Sequence, residues 1–164
     1  MSEETITTTE TPVVQMNGKP KLFTYRDLFT VRQCLHDAKS CCRRMKGDMV
    51  FAINKNLELL NAPIRMFDKK RQEGIDMFVS KDDKGKPVVI QPTPEEAKTG
   101  KKAAYKYEEG QEQACNEYMN SLLDDEAKME KLFKLIPITS FAMAEIDTEK
   151  FKGVDYFIEM FVRE

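Results

Sequence analysis

Histidine is the scarcest chemical resource of this chain: His36 is the only one among 164 residues. A histidine-dependent triad, a proton relay or a His-rich metal site therefore has one candidate. Ser40 follows it by one helical turn, but a serine on an ordinary helix lacks the strained elbow and the oxyanion donors of a nucleophile. The four cysteines, Cys34, Cys41, Cys42 and Cys115, form no C-x-x-C pair. Cys34 and Cys41 are two helical turns apart, roughly 10 Å, which is beyond disulfide reach. They read as free thiols used as small apolar side chains in a reducing compartment. No two of the seven glycines are closer than ten residues. That excludes the dinucleotide fingerprint and the phosphate loop, both of which need clustered glycines. Asp82-Asp83 and Asp124-Asp125-Glu126 lack the alternating-oxygen loop of an EF-hand and read as turn and helix-end residues. The expectation is a chain that is not an enzyme and holds no metal or cofactor.

Cations are the one type whose spacing stands out. Arg32, His36, Lys39, Arg43 and Lys46 follow one another at intervals of 4, 3, 4 and 3 residues, the spacing of one stripe along a helix. Lys69, Lys70 and Arg71 form a second cluster. The net charge of −2 hides this division. Residues 21–72 hold 12 Lys/Arg against five Asp/Glu, whereas residues 107–135 hold three lysines against eight acids. The stripe suits phosphate groups of nucleic acid or of an anionic nucleotide. Equally, the acids Glu108, Glu109, Glu112 and Glu117 could neutralise it, or it could be a solvated face. It contains no aromatic residue of the kind that stacks on unpaired bases.

These residues depend on helices for their placement. Thr24 and Asp27 make a capping box that starts a helix near Tyr25, with Leu28, Val31, Leu35, Ala38 and Cys42 as its apolar stripe. Gly47 is the expected stop, and Asp48 the cap of an antiparallel second helix. Val50, Ile53, Leu57, Leu60 and Ile64 repeat the helical spacing there. Phe51, Leu59 and Met66 on its other faces predict a central, widely buried helix. Pro63 predicts a kink near Asn61-Ala62, with continuation through Phe67, Ile75 and Phe78. Asp82–Gly85 is a hairpin turn between Phe78-Val79 and Val88–Ile90. Residues 91–104 predict a mobile loop. A third helix follows over about 108–123, then a strand over 132–138, which Pro137 places at a sheet edge. Val154, Phe157, Ile158, Phe161 and Val162 define a terminal amphipathic helix.

The expected fold is therefore α+β and predominantly helical, one domain over residues 21–164. Residues 1–20, rich in Thr and Glu, predict an arm that is disordered or held by a partner. At 41% apolar and 33% charged, the chain can build a core. No run reaches the roughly 20 apolar residues of a membrane span, and Met1–Glu4 does not start a secretion signal. A soluble protein is expected.

The words Phe23-Thr24-Tyr25-Arg26-Asp27-Leu28-Phe29, Ala52-Ile53-Asn54-Lys55-Asn56-Leu57, Asp68-Lys69-Lys70-Arg71-Gln72-Glu73 and Asp82-Asp83-Lys84-Gly85 occur in this order. With the 132–138 strand and Gly153-Val154 leading into Phe157–Phe161, the order resembles small proteins of unknown function from tailed phages and prophages. The resemblance spans residues 22–164 and departs from that pattern in the N-terminal arm and the long 91–104 loop. It implies a phage setting and carries no catalytic motif. The leading expectation is a non-enzymatic virion component or assembly factor that contacts other phage proteins or copies of itself. It would reside in the host cytoplasm during infection and then in the virion. The alternative expectation is an accessory or anti-defence protein binding nucleic acid or a nucleotide through the basic stripe.

Overall fold

A computed structural model describes residues 14–16 and 19–164, so 1–13 and 17–18 of the expected arm lie outside the described residues. Val14–Met16 (β1) pairs antiparallel with Lys19–Lys21 (β2). Helices dominate and the strands are short pairs, an α+β fold. Residues 21–164 group in two compact units: one runs to Ile64 and resumes at Glu126, the other is Arg65–Asp125.

The first unit is built on α1 (Tyr25–Cys41), whose N-terminus the sequence reading placed correctly. Thr24 Oγ1 accepts from Asp27 N, and Asp27 Oδ2 accepts from Thr24 N in return. Leu28, Val31, Leu35 and Ala38 are wholly buried, a single stripe at helical spacing. The helix ends six residues before Gly47, not at it. Cys42–Arg43 (β3) is extended and pairs antiparallel with Glu145–Ile146 (β7). Asp147 N also donates to Cys41 O at 3.0 Å, so a terminal helix carbonyl is satisfied from far along the chain. That long-range pairing ends the helix where the local sequence would continue it.

Helix α2 (Gly47–Leu59) packs on α1. Lys46 is its N-cap residue, while Asp48 lies in the first turn. The buried set is Met49, Ala52, Ile53, Asn56 and Leu60: Ile53 and Leu60 of the expected stripe are buried, Leu57 and Ile64 are half-buried and Val50 is exposed, so the face is turned toward Met49 and Asn56. Val50, Phe51 and Met66 are exposed, so the α2–α3 rod is not buried on all sides. The break before Pro63 is present: α2 ends at Leu59, and α3 (Asn61–Phe78) carries the chain into the second unit.

Two polar contacts hold the returning chain on α2. Buried Asn56 reads the backbone of Lys134 as a strand partner would, donating to its carbonyl at 2.8 Å and accepting from its N–H at 2.6 Å. Buried Ser140, on α6 (Ile138–Ala142), donates to Asp48 Oδ2. The expected strand over 132–138 shrinks to Ile136–Pro137 (β6), which pairs in parallel with Val162–Arg163 (β8). Helix α7 (Val154–Phe161) closes the unit, burying Phe157, Met160 and Phe161. A chain of phenylalanine rings runs through this core: Phe23–Phe133, Phe133–Phe161, Phe161–Phe157 and Phe157–Phe151, with centroids 5.2–5.8 Å apart.

In the second unit, α3 continues to Phe78 and the expected turn forms at Asp82–Gly85, where Gly85 takes φ +74°. The hairpin gains a third segment, as Val89–Ile90 (β4) pairs with Ala104–Tyr105 (β5). A ring of backbone bonds joins the three, from Val88 N to Ser80 O, Ser80 N to Lys106 O and Lys106 N to Val88 O. The 91–104 segment contains a helix, α4 (Pro94–Lys98), started by a Thr93–Glu96 capping box. Helix α5 (Gln111–Asp124) buries Cys115 and Leu122. Gly74 lets the α5 side chain Tyr118 lie against α3, for a Cβ there would meet the ring at 2.2 Å.

Candidate functional site

The structure divides the eight cations of the expected site. Arg32, His36 and Lys39 lie on α1 and all three are exposed. Arg43 belongs to β3 and Lys46 caps α2, so the helical stripe ends after Lys39. None of these five makes an ion pair within 4.0 Å among the described residues. Acids nevertheless stand near the lower end. Glu145 pairs with Arg44 at 3.0 Å. Asp147 is held below the usual carboxylate range by its bond from Lys150, with Arg43 adding to the effect.

Lys69, Lys70 and Arg71 sit on α3 in the second unit and are each beside a carboxylate. The partners are Glu73 at 3.9 Å, Asp125 at 3.7 Å and Asp68 at 3.7 Å. Such exposed pairs leave little net charge to attract a ligand. The two basic clusters therefore differ in kind, though their residue types match.

The row on α1 has neighbours on α2. Lys39 Nζ donates to Asn54 Oδ1 on α2 at 3.1 Å. One turn before Asn54 is Phe51, a ring 57% exposed beside buried Met49, Ala52 and Ile53. The sequence signal for Phe51 is an aromatic off the apolar stripe of α2, whose buried face turns toward Met49 and Asn56 and leaves the ring outside.

A second feature lies at the other end of the first unit. Ile138, Ile158 and Val162 floor a groove of about 380 Å³ rimmed by Asp155, Glu159, Arg163 and Glu164. Helix α7 positions it through its spacing. Phe157, Met160 and Phe161 point to the core, while Asp155, Ile158 and Glu159 share the opposite side. Ile158 was expected on the buried face with Phe157, yet it is 39% exposed, and Ile138 is 46% exposed. The rim carries three acids and one arginine, so an apolar floor is framed by net negative charge.

Cys34 and Cys42 are buried thiols. Burial pushes the Cys34 thiol up to about 12, with Asp37 adding, and the Cys42 thiol up to about 11, with Cys41 adding. Both stay protonated near neutral pH. Cys34 donates weakly to Gly153 O at 3.6 Å. Among the described residues, no three His, Cys, Asp or Glu side chains are grouped to hold a metal ion, and no helix is long and apolar enough to cross a membrane. Comparison of the chain with protein-family models, with curated proteins and with solved structures gives no match.

Proposed function

We propose that the protein is non-enzymatic and acts by contact with other proteins, as a virion component or assembly factor of a tailed phage. The observation that carries the reading is the groove of the first unit. Two isoleucines, Ile138 and Ile158, remain exposed on its floor although α7 has a fully used core face beside them. Apolar side chains grouped on a surface and framed by charge mark a contact site for another macromolecule. The acidic rim suits a partner segment whose apolar residue is flanked by Lys or Arg. The phage setting rests on the order of short sequence words described above.

Mass spectrometry of purified particles and assembly intermediates from the phage encoding this chain tests the proposal. Reproducible recovery at a fixed ratio to known structural proteins is the expected result. Absence from particles and intermediates alike, while the protein is abundant in infected cells, would sink it.

A further inference from the structure

We infer that the α1–α2 face of the first unit binds single-stranded nucleic acid, with Arg32, His36 and Lys39 along the phosphates and Phe51 stacked on a base. The inference is independent of the groove, which lies elsewhere on that unit.

Three observations meet on this face. The cations from Arg32 to Lys39 span seven residues of helix, roughly 10 Å at about 1.5 Å per residue. They are exposed and make no ion pair among the described residues. The Lys39–Asn54 bond joins this row to α2. Phe51 precedes Asn54 by three residues, so the two are surface neighbours on α2. The exposed ring therefore stands beside the cation row, which supplies the aromatic partner that the row itself lacks.

The carboxylates of the two helices are already engaged. Asp37 accepts from Gln33 at 2.8 Å, Glu58 from Lys55 at 2.8 Å, and Asp48 from Ser140. A ring stacks on an unpaired base but cannot reach the face of one inside a duplex, and stacking tolerates any sequence. The ligand is thus a flexible single strand bound without sequence preference.

Fluorescence anisotropy of the full chain with a labelled oligothymidylate, across a salt series, tests this. Phe51→Ala, at an exposed position, is expected to weaken binding about tenfold, within the range for losing one base–aromatic stack. Arg32→Gln with Lys39→Gln is expected to lower the slope of log K against log salt by about 1.4, two charges at about 0.7 each. Circular dichroism melts confirm that each variant remains folded. Any of four results overturns the inference: no binding by the wild type at low salt, Phe51→Ala binding as well as wild type, equal affinity for a duplex of the same length, or binding to phosphatidylserine vesicles in place of the oligonucleotide.

Discussion

The two compact units differ in how much they bury. Among the described residues, twenty of the 24 buried apolar side chains belong to the first unit, and only Phe67, Val79, Cys115 and Leu122 to the second. The second unit relies on backbone pairing, a capping box and exposed ion pairs, each of which adds little on its own. Hydrophobic burial is the main favourable term in folding, so the first unit is the firm scaffold. The second is expected to open at a lower free energy. The same contrast appears in the two basic clusters: Arg32, His36 and Lys39 on the first unit make no ion pair among the described residues, whereas Lys69, Lys70 and Arg71 on the second stand beside carboxylates. Surfaces meant for a partner are best placed where the backbone beneath them is held.

The largest effect expected is that of Phe157→Ala. Its ring is wholly buried and touches Phe141, Phe151 and Phe161. Loss of about 3–5 kcal/mol is expected, read by urea denaturation as a lower midpoint. A loss below about 1 kcal/mol would break the contrast between the units.

Next is Asn56→Ala, which leaves the N–H and carbonyl of Lys134 without their side-chain partner. About 1–3 kcal/mol is expected. Amide exchange should rise at 133–136, and unchanged protection there would mean that Asn56 does not pin the strand. Gly74→Ala acts on the second unit, where the new methyl would meet Tyr118. Overpacking of about 1–3 kcal/mol exceeds the helix-propensity gain of about 1 kcal/mol. Exchange protection should fall across 65–125 and hold in the first unit. Equal loss in both would erase the distinction between them.

The smallest effect concerns acid. The hydrogen bond from Ser140 is the main cause holding the Asp48 carboxyl below its usual range. A depressed folded-state value stabilises above the ordinary carboxylate pKa and loses that contribution as pH falls through the depressed value. Ser140→Ala should therefore lower stability at neutral pH and flatten its decline in acid. Parallel curves for variant and wild type would contradict this assignment.

Local signals were legible where local physics decides. The Thr24–Asp27 capping box, the break before Pro63 and the Asp82–Gly85 turn each follow from a few adjacent residues. Distant partners set what was missed. Ile146 draws Cys42 out of α1, so Arg43 and Lys46 leave the stripe. Asn56 is buried because its amide meets Lys134, 78 residues away, and a polar residue in the core misled the phasing of α2. Helical spacing alone puts Phe51 on a further face of a widely buried helix, whereas the turned core face leaves it an exposed ring. Ile158 was grouped with Phe157 because one-dimensional spacing cannot tell a core face from an apolar groove floor beside it. Three of the five stripe residues are legible as one row, since α1 holds Arg32, His36 and Lys39.

The central claim is that partner contact runs through the groove of the first unit. The most direct test places a photo-crosslinking amino acid at Ile158 and, separately, at Met77, an equally apolar residue of the second unit that is 63% exposed. Both proteins are irradiated during infection and in purified particles. A discrete adduct with a structural phage protein or a second copy of the chain is expected from position 158, with none from 77. No adduct at 158, or the same adducts from both positions, would contradict the account.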